Sequence, residues 1–273
     1  MVKKLFKHEF IAYMRALLPM HLIMLGVAAL TRFVYFFENE STSFMIVGRS
    51  SIIALVISCV VCLVLSYVND ITRFYKNMFT HEGYLSFTLP VTNAQHIWVK
   101  VTTGVAVLIA SFIAIVLAVC IATAGEFTVE LFKAGFWILG RGEEQIGWQF
   151  WLYMIEAIIT VVAAMFTSIL LFYSCITIGQ LSNKNRVMLA IGVYFIYYFI
   201  TQVIGTVFIV FMSVVSYQNW FINIMDKLGL FVESHPYVSG HLFFLIMFVG
   251  VAIMGLIYFL ITHTIMKKKL NLE

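Results

Sequence analysis

Few side chains in this sequence have types and spacing that could do chemistry. Cys59 and Cys62 form a Cys-x-x-Cys pair, a spacing that suits metal binding or thiol–disulfide exchange. Such a site needs polar co-ligands, and the neighbours here are Val, Leu, Ile and Ser. All four cysteines, Cys59, Cys62, Cys120 and Cys175, fall inside apolar runs and read as small buried hydrophobes. The histidines, His8, His21, His81, His96, His235, His241 and His263, are scattered without the helical spacing of metal ligands. His235 and His241, beside the start of the last apolar run, read as interfacial. No Gly-x-x-x-x-Gly-Lys-Ser/Thr stretch occurs, so the chain has no P-loop to cradle nucleotide phosphates, and His-Glu-x-x-His and Gly-x-Ser-x-Gly are missing as well. The expectation is therefore no catalytic residue, no metal and no cofactor on this chain: not an enzyme. One group stands apart. Glu156 is the single acidic residue within an apolar run long enough to cross a bilayer. An intramembrane carboxylate is a functional candidate by default; the alternative is a carboxylate near the interface that hydrogen-bonds a neighbouring helix.

The elements that must position these groups follow from composition. Of 273 residues, 62% are hydrophobic and 11% charged, against about 45–50% and roughly 25% in soluble domains, and mean hydropathy is +0.99. The excess lies in long uncharged runs, and no stretch is polar enough for a separate soluble domain. A span needs about 20 apolar residues, and six intervals qualify: about 17–37, 50–68, 101–125, 149–180, 187–215 and 241–266. The first is weakest, with Pro19 and His21 near its start and Arg32 near its end, where the guanidinium can snorkel to headgroups. The first apolar run is too long for a secretory leader and reads as retained. The fold class expected is all-α, a single polytopic membrane domain over 1–273.

Charge sets the orientation. Lys3, Lys4, Lys7, Arg15, Arg73, Lys76, Lys100, Lys184, Arg186, Lys267, Lys268 and Lys269 fall on one side, against Arg32, Arg49, Lys133, Arg141 and Lys227 on the other. With an even number of spans, the positive-inside rule puts both termini in the cytoplasm. Three further segments look interfacial. Residues 1–16 place Leu5, Phe6, Phe10, Tyr13 and Met14 on one helical face among lysines, the pattern of a helix lying on the inner surface. On the outside, 127–139, and 220–231 within the longer segment 216–240, set aromatic and aliphatic residues among a few charges, consistent with short helices or with loops carrying an aromatic belt.

The segment 69–100, between the second and third spans, is the one long inner connection. A loop of about thirty residues without a role is unusual. Phe74, Tyr75, Met78, Phe79, Tyr84, Leu85, Phe87 and Leu89 are too many apolar residues for a solvated linker, so lipid headgroups or a cytoplasmic partner should cover them. Gly83 allows a bend or close backbone approach, and Pro90 disfavours helix just before it. Glu82 offers a charge, and Tyr84, Leu85 and Phe87 offer contact area. A surface helix with a turn would also account for these residues.

The stretch Glu82-Gly83-Tyr84-Leu85-Ser86-Phe87-Thr88-Leu89-Pro90-Val91, returning to the membrane at Lys100, resembles permease subunits of type-2 ATP-binding-cassette exporters, in which the segment between spans two and three carries the coupling helix that docks on the ATPase. The basic ending Lys267-Lys268-Lys269-Leu270-Asn271-Leu272-Glu273 is similar to small permeases of that family from Gram-positive bacteria, and the resemblance covers the whole layout. It implies an ATPase-coupling set of Arg73, Phe74, Glu82, Gly83, Tyr84, Leu85, Leu89 and Pro90. It also implies ATP held by a separate ATPase chain, a second identical or related permease subunit, and residence in the cell membrane. An ion-coupled carrier or channel is the alternative. It would call for intramembrane charges or broken spans at corresponding positions of two halves, and only Glu156 answers that description.

Overall fold

Long helices dominate because the sequence offers apolar runs with almost no internal breakers, and in lipid a backbone must satisfy its own hydrogen bonds. The computed structural model describes residues 2–37, 41–88, 90–182 and 184–268. Within these the elements run α1 (Val2–Phe36), α2 (Thr42–Phe79), α3 (His81–Phe87), α4 (Asn93–Ala122), α5 (Glu126–Ile146), α6 (Gln149–Gly179), α7 (Arg186–Val215), α8 (Asn219–Ser234) and α9 (Pro236–Lys268). Among the described residues there is no strand, and six helices, α1, α2, α4, α6, α7 and α9, are long and apolar enough to cross a membrane. The chain is an all-α polytopic membrane protein.

Two boundaries differ from the sequence reading. The amphipathic start is not a separate surface helix: it forms the first turns of α1, which continues through Pro19 into the first span. Pro19 forfeits one backbone donor without ending the helix, as membrane helices tolerate where neighbours restore the bonding. The connection between the second and third spans is also much shorter than 69–100. α2 carries on to Phe79 and α4 begins at Asn93, so only α3 and its flanks lie between them. The two segments expected outside the membrane, 127–139 and 216–240, are largely helical, as parts of α5 and of α8 and the start of α9.

The chain divides into two compact units near Glu144. In the first, α1 packs on both α2 and α4. Its buried stripe, Glu9, Tyr13, Leu17, His21, Met24, Ala28 and Thr31, steps by three or four residues along one face. Met24 and Ala28 meet Leu55 and Cys62 of α2 and Ala118 and Ala122 of α4. Small residues at such a seam let backbones approach, which is how helices associate when lipid is as apolar as their side chains. Cys59 and Cys62 are free thiols in this packing, and among the described residues no three His, Cys, Asp or Glu side chains gather as a metal site.

In the second unit, α6 packs chiefly on α9 and also on α7, and α8 touches α9. The α6–α9 crossing is close. A Cβ on Gly255 would lie 2.7 Å from Thr167 Oγ1, and one on Gly240 would lie 2.6 Å from the Tyr153 hydroxyl. Thr167 Oγ1 donates across the crossing to the Val251 carbonyl at 3.1 Å.

Candidate functional site

α3 is set off by the end of α2 and the start of α4. Thr80 leaves the helix at φ −108°, ψ −169°, its hydroxyl donating back to the Lys76 carbonyl at 2.6 Å while its carbonyl accepts from Gly83 N–H at 2.7 Å. α4 restarts with a capping box: Gln95 N–H donates to Thr92 Oγ1 at 3.3 Å, and Thr92 N–H donates to Gln95 Oε1 at 3.0 Å. Between these stops, α3 spans the gap from α2 to α4.

The expected docking residues divide by exposure. Glu82 and Pro90 are exposed and Tyr84 is 56% exposed. Gly83 is buried within the helix and has no positive φ, so it makes no bend. Leu89 and the side chain of Leu85 lie outside the described residues. Phe74 is fully buried, as are Met78 and Phe79, and Phe74 and Phe79 pack edge to face at 5.7 Å. The apolar residues of 74–79 are therefore covered largely by the chain's own helices, whereas among the described side chains of α3 Tyr84 stays exposed. Phe87 meets the His96 ring at 6.1 Å.

Arg73 belongs to a buried charge cluster that sequence reasoning missed. Glu9 accepts from Lys100 Nζ at 2.9 Å, from Arg73 Nη2 at 3.2 Å and from Asn77 Nδ2 at 3.1 Å. Beside it, the Tyr13 hydroxyl donates to Asp70 Oδ1 at 2.8 Å, and the Arg73 guanidinium stacks 4.7 Å over the Tyr13 ring. Lys100 and Asp70 are 3% and 2% exposed. Two cations and two carboxylates so arranged balance in charge and tie α1, α2 and α4 together beside α3. The available signal was Glu9 itself: it precedes Tyr13 and Leu17 at steps of four on the face the other residues mark as apolar. Deeper along the same seam, His21 Nε2 bonds Ser111 Oγ at 3.0 Å, and Ser111 bonds Ser66 Oγ at 2.8 Å.

Further along α1, Arg32 is exposed and lines a cavity of about 690 Å³ with Thr31, Tyr35, Ile52, Leu55 and Ala122–Gly125. Gly125 takes φ +126°, with the Arg32 guanidinium against it.

In the second unit, Glu156 finds its neighbour. Glu156 Oε1 lies 2.8 Å from Nδ1 of His241 on α9, and Nε2 of His241 lies 2.9 Å from the side chain of Gln149. The Tyr153 ring sits 4.6 Å from the imidazole, its hydroxyl donating to the Tyr237 carbonyl at 2.9 Å. The other carboxylate oxygen, Oε2, is sealed from solvent and accepts no hydrogen bond. A buried acceptor left so costs about 1–3 kcal/mol. Of the polar residues on α6 and α7, Ser168, Ser174 and Thr177 bond carbonyls of their own helix, whereas Tyr258 donates to Tyr197 at 2.7 Å and links α9 to α7. Neither a family model, nor a curated protein, nor a solved structure matches the chain.

Proposed function

We propose that this chain is the permease subunit of an ATP-binding-cassette exporter in the cell membrane. In this reading both termini and α3 face the cytoplasm, where α3 docks on a separate ATPase that binds and hydrolyses ATP. A second permease subunit, identical or related, completes the translocation path. The single observation that carries the reading is α3 itself: a short helix between two long apolar helices, with Glu82 and Tyr84 exposed and the Glu9–Arg73–Lys100 cluster tying together the helices on either side of it. A rigid-body switch driven by a partner requires a surface to push and a stiff attachment behind it. Tyr84 and Glu82 supply the surface; the ion pairs supply the stiffness.

The test is co-purification of the chain with a candidate ATPase encoded beside it, followed by Glu82→Lys and Tyr84→Ala. Loss of the complex, or of permease-stimulated ATP hydrolysis, with helix content unchanged is the expected result. An intact complex and unchanged stimulation in both variants would sink the docking role.

The Glu156–His241 pair favours a second reading, an ion-coupled carrier or channel subunit, because intramembrane carboxylates and imidazoles serve ion and proton paths. Transport by proteoliposomes given ATP and the ATPase, against proteoliposomes given only an imposed ion gradient, separates the two.

A further inference from the structure

The carboxylate of Glu156 is set at the edge of an apolar chamber. A cavity of about 150 Å³ in the second unit is lined by Glu156, Thr160 and His241 together with Ile159, Phe244 and Phe248. Glu156, Thr160 and His241 are the polar lining residues, and the rest are aliphatic or aromatic.

The hydrogen bonds show what that lining lacks. His241 has both ring nitrogens engaged: Nδ1 faces Glu156 Oε1 and Nε2 faces Gln149 Oε1, so neither is left to serve Oε2. The Thr160 hydroxyl is committed to the Glu156 carbonyl at 2.8 Å. Glu156 Oε2 has no hydrogen-bond donor. The terminal carboxylate torsion is soft, so a small rotation presents that oxygen to the cavity. No lysine or arginine of α6 or α9 is paired with Glu156 among the described residues.

We propose that Glu156 and His241 form a binding site for a primary ammonium group attached to an apolar chain. The ammonium brings the donors Oε2 lacks, and its hydrocarbon lies against Ile159, Phe244 and Phe248. Buried charges persist when paired and hydrogen-bonded, and an apolar chamber suits an alkyl tail. Two sources share this chemistry: the ethanolamine headgroup of a membrane lipid and a free cationic amphiphile. The site does not depend on the exporter reading, since it is assayed on the isolated chain without ATPase or transport.

The experiment uses the purified full chain in nanodiscs of phosphatidylcholine, which offers no primary amine, and follows dodecylammonium binding by calorimetry. Saturable binding that weakens at least tenfold in Glu156→Gln, and is at least tenfold weaker for dodecanol than for dodecylammonium on the unaltered chain, is the expected result. Adding phosphatidylethanolamine to the nanodiscs assigns the source: competition identifies the lipid headgroup, and its absence identifies the free amphiphile. Equal binding by the unaltered chain and Glu156→Gln, at equal helix content, overturns the site. Should the variant lose its helices, equal affinity for dodecylammonium and dodecanol on the unaltered chain overturns it instead.

Discussion

Glu9 is the residue on which the first unit's inner packing turns. Its carboxylate receives Lys100 and Arg73 at once, and Lys100 is 3% exposed. Removing one member of a buried pair leaves an uncompensated charge and costs about 3–5 kcal/mol, whereas replacing both members by apolar groups is often close to neutral. Glu9→Gln should therefore lower stability toward denaturation by SDS by about that amount. The double change Glu9→Leu with Lys100→Met should destabilise by clearly less than the sum of the two single changes, as contacting residues do when their effects are coupled. Arg73 stays behind in the double variant, so recovery should be partial, and Asn77 loses an acceptor. Simple additivity of the two single effects in SDS titrations would mean that the pair is not coupled. Tyr13 belongs to the same group through Asp70, and Tyr13→Phe should cost about 1–3 kcal/mol, because Asp70 would lose a buried donor.

At the scale of elements, the α6–α9 crossing is held by contact as close as backbone allows. Gly255→Ala should gain about 1 kcal/mol in helix propensity. Against this, its methyl would stand 2.7 Å from Thr167 Oγ1 and disturb the bond to Val251. Overpacking costs about 1–3 kcal/mol and the bond about 1 kcal/mol, so the net change should be a loss. Adding Thr167→Ala removes the offending oxygen and leaves the Thr167 Cβ at an ordinary 3.7 Å, so the double variant should melt above the single one. A melting point no higher would place the strain elsewhere. What the sequence revealed of such elements depended on which face was polar. The apolar runs of α4, α7 and α9 announce spans directly. Residues 69–79 instead read as a loop because Asn69, Asp70, Arg73, Lys76 and Asn77 are polar. Yet Ser66, Asp70, Arg73 and Asn77 step by four, three and four along one face, and much of that face is buried against Glu9 and Tyr13. The helical period was present, with charged residues holding the positions where a hydrophobic pattern expects leucine. The same inversion hid Glu9, and it hid His241, whose partners Glu156 and Gln149 lie far off in sequence on another helix.

For the whole molecule the decisive property is which side of the membrane each connection faces, and the physical basis is the cost of carrying Lys and Arg across a bilayer. Lys76, His81 and Lys184 would lie inside, with Arg141, Glu143 and Lys227 outside. The four native cysteines are free and sit in or beside apolar packing, so a background with all four changed to alanine or serine gives a silent chain for labelling. His81 at the start of α3 and Glu143 in α5 are both exposed, so a cysteine at either position is open to reagent. In intact cells, Glu143→Cys should react with a membrane-impermeant maleimide at once, while His81→Cys should react only after the membrane is opened. The contrast matters for more than topology, because α3 can meet a nucleotide-hydrolysing partner only from the side where nucleotide is abundant. Immediate labelling of His81→Cys in intact cells would put α3 outside, where no ATPase could push on Tyr84. The exporter reading would then fall even though every helix stayed where it is.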